Sequence, residues 1–247
     1  MCFAADARRQ QGPYIGLFGG FGSASATSLR QEGGFYLPGP LNSRVNVDAK
    51  GVTGGENVAL LGIQAGYEWK GSGLGQSKWD LKPAVELEGV YIAKHWPVGD
   101  MPITPRILGT QYVTVPMTVG VLLANVVFTV RTPYSSRIFP YLGLGAGVAR
   151  VSIQGAYSAN PGEPGINHFD SGPDASDLAF AGQFRAGVKG EVAKNLLVFV
   201  EYRYLSIGST RYTFGETLPP HLPTDPWKVS MGPQAYNSFV AGLQFKF

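Results

Sequence analysis

The sequence has little of what marks a disulfide-rich, nucleic-acid-binding or helical membrane protein. It contains one cysteine among 247 residues, so neither a disulfide framework nor a cysteine-based zinc site can form within the chain. Charged residues make up only 15% of it and the formal charge is +3, without a basic stripe, so we expect no nucleic-acid partner. No apolar run reaches the roughly 18 residues that a membrane-spanning helix needs.

The amino terminus lacks an apolar segment of the kind that export signals contain. We expect residues 1–13 to be an N-terminal periplasmic segment, in which Ala4-Ala5-Asp6-Ala7 is a candidate remnant of a cleavage site. The export signal itself is not visible. Cys2 has no apolar segment before it, which disfavours a lipidated cysteine.

The carboxyl end carries a regular alternation of apolar with small or polar residues. Phe239, Ala241, Leu243, Phe245 and Phe247 fall on one face of an extended strand, and the residues between them fall on the other. Lipid would cover such a face in a membrane β-barrel, where aromatic residues lie at the interface. The pattern also resembles the C-terminal strand signal of bacterial outer-membrane proteins, in which Phe245 and Phe247 would be read by the barrel-assembly machinery. The alternative is an edge strand of a soluble β-sandwich.

Alternating segments recur along the chain and predict eight strands, the even number that single-chain bacterial barrels have. The predicted strands are 14–26, 58–69, 79–93, 111–131, 139–153, 178–192, 196–206 and 236–247. The fourth is the least regular, because Leu122-Leu123-Ala124 shifts its phase. A bulge or a strand that extends above the membrane would explain the shift, and Pro116 marks a further bulge. We therefore predict an all-β fold, an antiparallel up-and-down eight-stranded transmembrane β-barrel over residues 14–247.

The connections alternate in length. Those after the second, fourth and sixth strands are short, whereas four long ones span about 27–57, 94–110, 154–177 and 207–235. Short periplasmic turns and long extracellular loops are the signature of an outer-membrane barrel. We expect a bacterial outer-membrane location with both termini periplasmic.

The polar faces of the predicted strands carry many charges, and an arginine or lysine at mid-depth in lipid costs roughly 2–4 kcal/mol. These faces must therefore line the lumen, the reverse of a ligand-binding soluble barrel with an apolar interior. Because an eight-stranded barrel is only wide enough for side chains to fill, we predict a plug of ion pairs. Its predicted members are Glu68, Glu86, Glu88, Glu201, Arg185, Lys189, Arg203 and Lys246.

The chain as a whole resembles the eight-stranded outer-membrane β-barrel superfamily, which includes the OmpA transmembrane domain and the opacity-type and small porin-like surface proteins. The resemblance is carried by residues 12–20, 123–128 and 139–147, by Glu201-Tyr202-Arg203-Tyr204 and by Phe247. It implies outer-membrane lipid and lipopolysaccharide as surroundings. Because the chain stops at Phe247, we expect no peptidoglycan-binding domain of the kind that full-length OmpA-type proteins have.

The first functional hypothesis is a structural scaffold and adhesin-like surface protein that binds an unknown extracellular ligand through its loops. The candidate contact residues are Phe35, Tyr36, Tyr212, Phe214 and Trp227, although each could instead pack the loops on themselves. The alternatives are a small gated porin and a lipid A-modifying outer-membrane enzyme.

The enzyme hypothesis needs a nucleophile or base, and the three histidines, His95, His168 and His221, belong to no recognisable Ser/His arrangement. We expect them to be solvated and predict a protein that is not an enzyme, with no catalytic residue and no cofactor. We also predict no metal site, because the loop-three acids Glu163, Asp170, Asp174 and Asp177 lack the ligand spacing of a calcium loop.

Overall fold

The computed structural model describes residues 11–39, 43–73, 79–135 and 137–247, which form strands and one short 3-10 helix, Arg106–Leu108. None of the helical structure in these ranges is long and apolar enough to cross a membrane. The strands in chain order are β1 (Gly12–Ala24), β2 (Ser28–Tyr36), β3 (Arg44–Thr53), β4 (Glu56–Glu68), β5 (Ser72–Gly73), β6 (Asp80–His95), β7 (Val98–Thr104), β8 (Thr110–Thr114), β9 (Met117–Arg131), β10 (Ile138–Ile153), β11 (Tyr157–Ala159), β12 (Ala175–Ala193), β13 (Leu196–Ile207), β14 (Thr210–Thr213), β15 (Lys228–Met231) and β16 (Gln234–Lys246).

Eight of these strands form a closed antiparallel barrel. Their order around the wall is β4-β1-β16-β13-β12-β10-β9-β6, and pairing of β6 with β4 closes the ring. Closure pairs every strand on both sides and leaves no edge exposed. The predicted all-β, eight-stranded antiparallel barrel is thereby confirmed, and seven of the eight predicted strands begin and end within three residues of the observed ones.

The fourth predicted strand, 111–131, was wrong in two respects. It is two strands, β8 and β9, separated at Val115 and Pro116. The phase shift predicted at Leu122-Leu123-Ala124 does not occur, since burial alternates without interruption along β9. The inward residues of β9 are apolar from Met117 to Leu123, whereas Asn125 and Thr129 interrupt the apolar pattern beyond it. The sequence of β9 therefore resembles a shifted register.

The four long connections, predicted as extracellular loops, contribute to a second sheet. Its order is β11-β8-β7-β3-β2-β15-β14, so all four long connections supply strands to it. Beyond the two outermost strands, Gly215 N donates to Gly172 O at 2.9 Å, and the rings of Phe169 and Phe214 stack at 4.4 Å. We call this structure the loop sheet.

The outer wall of the barrel is apolar. Leu17, Ile63, Leu144 and Phe239 point away from the axis, with 60%, 68%, 64% and 75% of their surfaces exposed. A continuous surface of this kind is far larger than soluble proteins leave in contact with water. It is the lipid-facing belt of a membrane-spanning barrel.

The interior changes character along the barrel axis. The termini and the short connections share one end, where Phe247 N donates to Pro13 O at 3.1 Å. The charged inward residues extend from this end to the middle of the wall, where Glu88 and Arg203 lie. Towards the loop sheet the interior is apolar, with Val90, Ile92 and Val151 fully buried in a core that continues into the loops.

Candidate functional sites in the lumen and in the loops

Five of the eight predicted lumen residues form one network across the barrel. Arg185 on β12 places its two terminal nitrogens 2.6 Å from Glu86 and 2.7 Å from Glu88 on β6. Arg203 on β13 contacts the other oxygen of Glu88 and lies 2.5 Å from Glu201. Glu88 thus bridges both arginines.

Uncharged residues complete the network, and the sequence analysis did not anticipate them. Tyr14 OH donates to Glu86 at 3.0 Å, and Tyr141 OH donates to Glu201 at 2.6 Å. The Asn125 amide donates to Glu86 at 3.1 Å and accepts from Gln183 at 2.7 Å. Their positions on the inward faces of predicted strands could have indicated them, but only charged residues were predicted to form the plug.

The other three predicted residues form no ion pair with the two arginines or the three glutamates of this network. Glu68 pairs with Lys246 and lies 3.5 Å from Lys82, a second partner that the prediction omitted. The ammonium of Lys189 lies over the ring of Tyr141 at 4.7 Å. The lumen thus contains a central arginine–glutamate network and a second, lysine-rich cluster nearer the termini.

Phe245 and Phe247 lie at the outer surface of the barrel end that carries the termini. Both are exposed, and their rings meet edge to face at 5.3 Å. Their placement fits lipid contact at the interface. Their role as an assembly signal stays a prediction.

The five aromatic contact candidates of the loops differ in exposure. Tyr212, Phe214 and Trp227 are buried within the loop region, whereas Phe35 and Tyr36 are partly buried. The three buried residues thus fit the alternative that the loops pack on themselves.

Tyr36 is tied to an ion pair of the loop sheet. Its hydroxyl donates to Asp225 at 2.8 Å, and Arg44 contacts the same carboxylate. Burial acts to raise the pKa of Asp225, but the hydrogen bonds from Arg44 and Tyr36 outweigh it and hold that pKa below its usual value.

The loops enclose a cavity of about 440 Å³. Apolar side chains form much of its wall, and a group of polar residues converges on one part of it. The lining comprises Phe35, Val47, Ile103, Ile107, Leu108, Gln111, Asn160, Gly162, Glu163, Ile166, His168, Pro220, His221, Leu222 and Trp227.

Glu163, His168 and His221 meet at this cavity. Their ligand atoms all lie within 4.8 Å of one another. The sequence analysis missed the group because His221 comes from loop four and the other two from loop three. Of the four loop-three acids considered for calcium binding, Glu163 is the one that contacts the two histidines.

The expectation of solvated histidines was wrong for His95 and His168, which are 2% and 4% exposed. His95 lies inside the wall beside Tyr236, with its Nδ1 3.1 Å from Ala93 O. It therefore does not reach the lipid headgroups, as a residue acting on lipid A would have to.

No protein-family model matches the chain, and no curated protein matches it. Among solved structures, the outer membrane protein OprG from Pseudomonas aeruginosa is similar at 19% identity and a TM-score of 0.47, covering 96% of this chain and 97% of OprG. Neisserial surface protein A matches at 16% identity and 0.42, covering 95% and 97%. The outer membrane protease OmpT from Escherichia coli matches at 10% identity and 0.32, covering 94% and 97%. The assignment of the fold rests on the strand pairing described above.

Proposed function

We propose that this protein is an integral barrel of the bacterial outer membrane, with a non-conducting lumen, that binds an extracellular ligand through its loop sheet. The observation that carries the proposal is the loop sheet itself, to which all four long connections contribute. A rigid scaffold that holds loops in one arrangement is the usual basis of a binding surface. The termini and short turns then lie in the periplasm and the loop sheet outside.

Two layers of side chains support a non-conducting lumen. The arginine–glutamate network spans the barrel from β6 to β12 and β13. Towards the loops, Val90, Ile92 and Val119 belong to an apolar core, and an apolar layer gives water few polar partners. An ion would have to displace both layers, so we expect no large, steady current in planar-bilayer recordings of the refolded protein.

The ligand surface of this proposal is the mouth of the loop cavity. Ile107 at the tip of loop two is 90% exposed and lines the cavity, beside the partly buried Phe35. An exposed isoleucine next to a largely apolar recess favours a ligand with an apolar group. This makes Phe35 a better contact candidate than Tyr212, Phe214 and Trp227, which are buried.

The proposal is tested by displaying the protein on bacterial cells and measuring their attachment to panels of immobilised glycans and matrix proteins. We expect attachment that Ile107→Glu abolishes. Val52→Glu is the matched control, since Val52 is exposed on the loop sheet and does not line the cavity. Attachment that is absent, or equal in both variants, would contradict the proposal. A large open-channel current would contradict its non-conducting part and favour the gated porin.

A further inference from the structure

The side chains of Glu163, His168 and His221 point their ligand atoms at one another in the wall of the loop cavity. His168 Nε2 lies 2.9 Å from one carboxylate oxygen of Glu163, and His221 Nε2 lies 3.2 Å from the other. The two imidazole rings are 5.3 Å apart and nearly perpendicular. In a tetrahedral site with metal–ligand bonds of about 2.0–2.2 Å, ligand atoms are separated by about 3.3–3.6 Å. The cluster therefore has nearly the dimensions of a metal site.

Backbone carbonyls fix the orientation of both imidazoles. His168 Nδ1 lies 2.9 Å from Ser158 O, and His221 Nδ1 lies 2.6 Å from Leu222 O. A carbonyl oxygen can only accept, so each Nδ1 carries a proton and donates it, which leaves a lone pair on Nε2 of the neutral ring. Metal-binding histidines are held in this way, with the distal N–H donated to a carbonyl or carboxylate.

Gln111 supports His168 from a second side. Its side-chain amide nitrogen lies 3.0 Å from the same Nδ1 and 2.6 Å from the Ser158 hydroxyl oxygen. An amide can turn to present its oxygen, whereas the Ser158 carbonyl cannot change its role. With the oxygen turned to Nδ1, both neighbours of this nitrogen accept its proton and select the same tautomer.

The cluster brings two imidazole Nε2 atoms to one carboxylate. Protons on the Nε2 atoms or a cation held between the three groups would each satisfy this arrangement. The two histidine side chains are 6% and 10% exposed and the Glu163 side chain is 39% exposed, so the carboxylate can adjust while the rings stay fixed. Two imidazoles and one carboxylate suit Zn²⁺ and related transition metals, whereas Ca²⁺ and Mg²⁺ prefer oxygen ligands alone.

We propose that Glu163, His168 and His221 form a binding site for a divalent transition metal of the Zn²⁺ class, entered from the loop cavity. Three protein ligands leave a coordination position for water or for a group of a bound molecule. The site joins loop three to loop four, so a bound metal would also stabilise the loop sheet. It is independent of lumen conduction and of surface attachment.

The experiment uses the full chain without a histidine tag and with Cys2→Ser, which removes the only thiol. The protein is refolded in detergent, stripped with a chelator and titrated with Zn²⁺ in a calorimeter. We expect one Zn²⁺ per chain, and at least about 100-fold weaker binding in Glu163→Gln, His168→Gln and His221→Gln, because removing a ligand costs no less than removing its outer-shell support. Co²⁺ should give the absorption bands of a tetrahedral site in the parent and not in the variants.

Two matched controls separate this site from general metal adsorption. Asp170→Asn removes one exposed carboxylate from the same loop, and His95→Gln removes the remaining histidine, which lies in β6. Both should bind Zn²⁺ like the parent, and all variants should keep the gel mobility of a folded barrel. Absence of saturable Zn²⁺ binding by the folded parent, or unchanged affinity in the three ligand variants, would overturn the proposal. Binding lost equally in the controls would also overturn it.

Discussion

Glu88 on β6 and Arg185 on β12 lie 97 positions apart in the chain, yet their side chains meet at 2.7 Å inside the barrel. Glu88 also contacts Arg203, while Arg185 also contacts Glu86. The network holds three carboxylates, counting Glu201, against two guanidinium groups. Losing a cation from it therefore leaves more unbalanced charge than losing an anion.

The first prediction ranks two substitutions in this network. Arg185→Met should destabilise the barrel by about 3–5 kcal/mol, because it leaves buried carboxylates without their positively charged partner. Glu88→Gln should cost less, since Glu86 and Glu201 remain to balance the two arginines. Denaturant titration followed by gel mobility of the folded form measures both. Glu191→Gln, an exposed position on β12, is the control, and a larger loss for Glu88→Gln than for Arg185→Met would refute the ranking.

The second prediction concerns the lipid-facing belt. Leu17 faces outward near the middle of β1, and Ser23 is exposed near the end of the same strand next to the loops. Leu17→Arg should lower the free energy of unfolding in liposomes by roughly 2–4 kcal/mol, whereas Ser23→Arg should cost at most about 1 kcal/mol, because the penalty falls towards the interface. An equal loss of unfolding free energy at the two positions would contradict a membrane centre near Leu17.

The third prediction is the acid response of the loop sheet. A hydrogen bond from Arg30, at 2.8 Å, lowers the pKa of Asp48 to about 2. Because the folded pKa is below the unfolded value of about 3.9, the pair stabilises the sheet above that pH, and its contribution is lost as the pH falls through about 2. The effect should be small, since both groups are partly exposed.

Pepsin cleavage of the loops between about pH 4 and pH 2 measures this response, because the protease is active there. Asp48→Asn should flatten the rise in cleavage on acidification, and Asp100→Asn, an exposed carboxylate on β7 of the same sheet, should leave it unchanged. An identical rise in the parent and in Asp48→Asn would contradict the assignment.

The fourth prediction separates the loops from the barrel. Phe169 is fully buried and stacks on Phe214, so it holds loop three against loop four. Phe169→Ala removes a buried aromatic side chain, a change that costs about 3–5 kcal/mol in a packed core. We expect faster protease cleavage of loops three and four, with the heat-modifiable barrel intact. Tyr157→Ala, an exposed aromatic residue of β11, should not change the cleavage rate.

The sequence by itself determined the barrel. Successive side chains of a strand point to opposite faces, so the alternation of Gln183, Arg185 and Lys189 with apolar residues identified both the strand and its inward face. The lengths of the connections then distinguished the two ends. These features are local, and a local pattern is enough to read them.

Only the tertiary structure decided which side chains meet. Strands far apart in the chain bring Glu88 to Arg185, and the folding of loop four over loop three brings His221 to Glu163. The polar partners Tyr14 and Asn125 were not predicted, because only charged residues were assigned to the plug. β7 and β15 do alternate between buried and more exposed residues, but they are only seven and four residues long. They lie in connections rich in Gly and Pro, a composition that predicts loops.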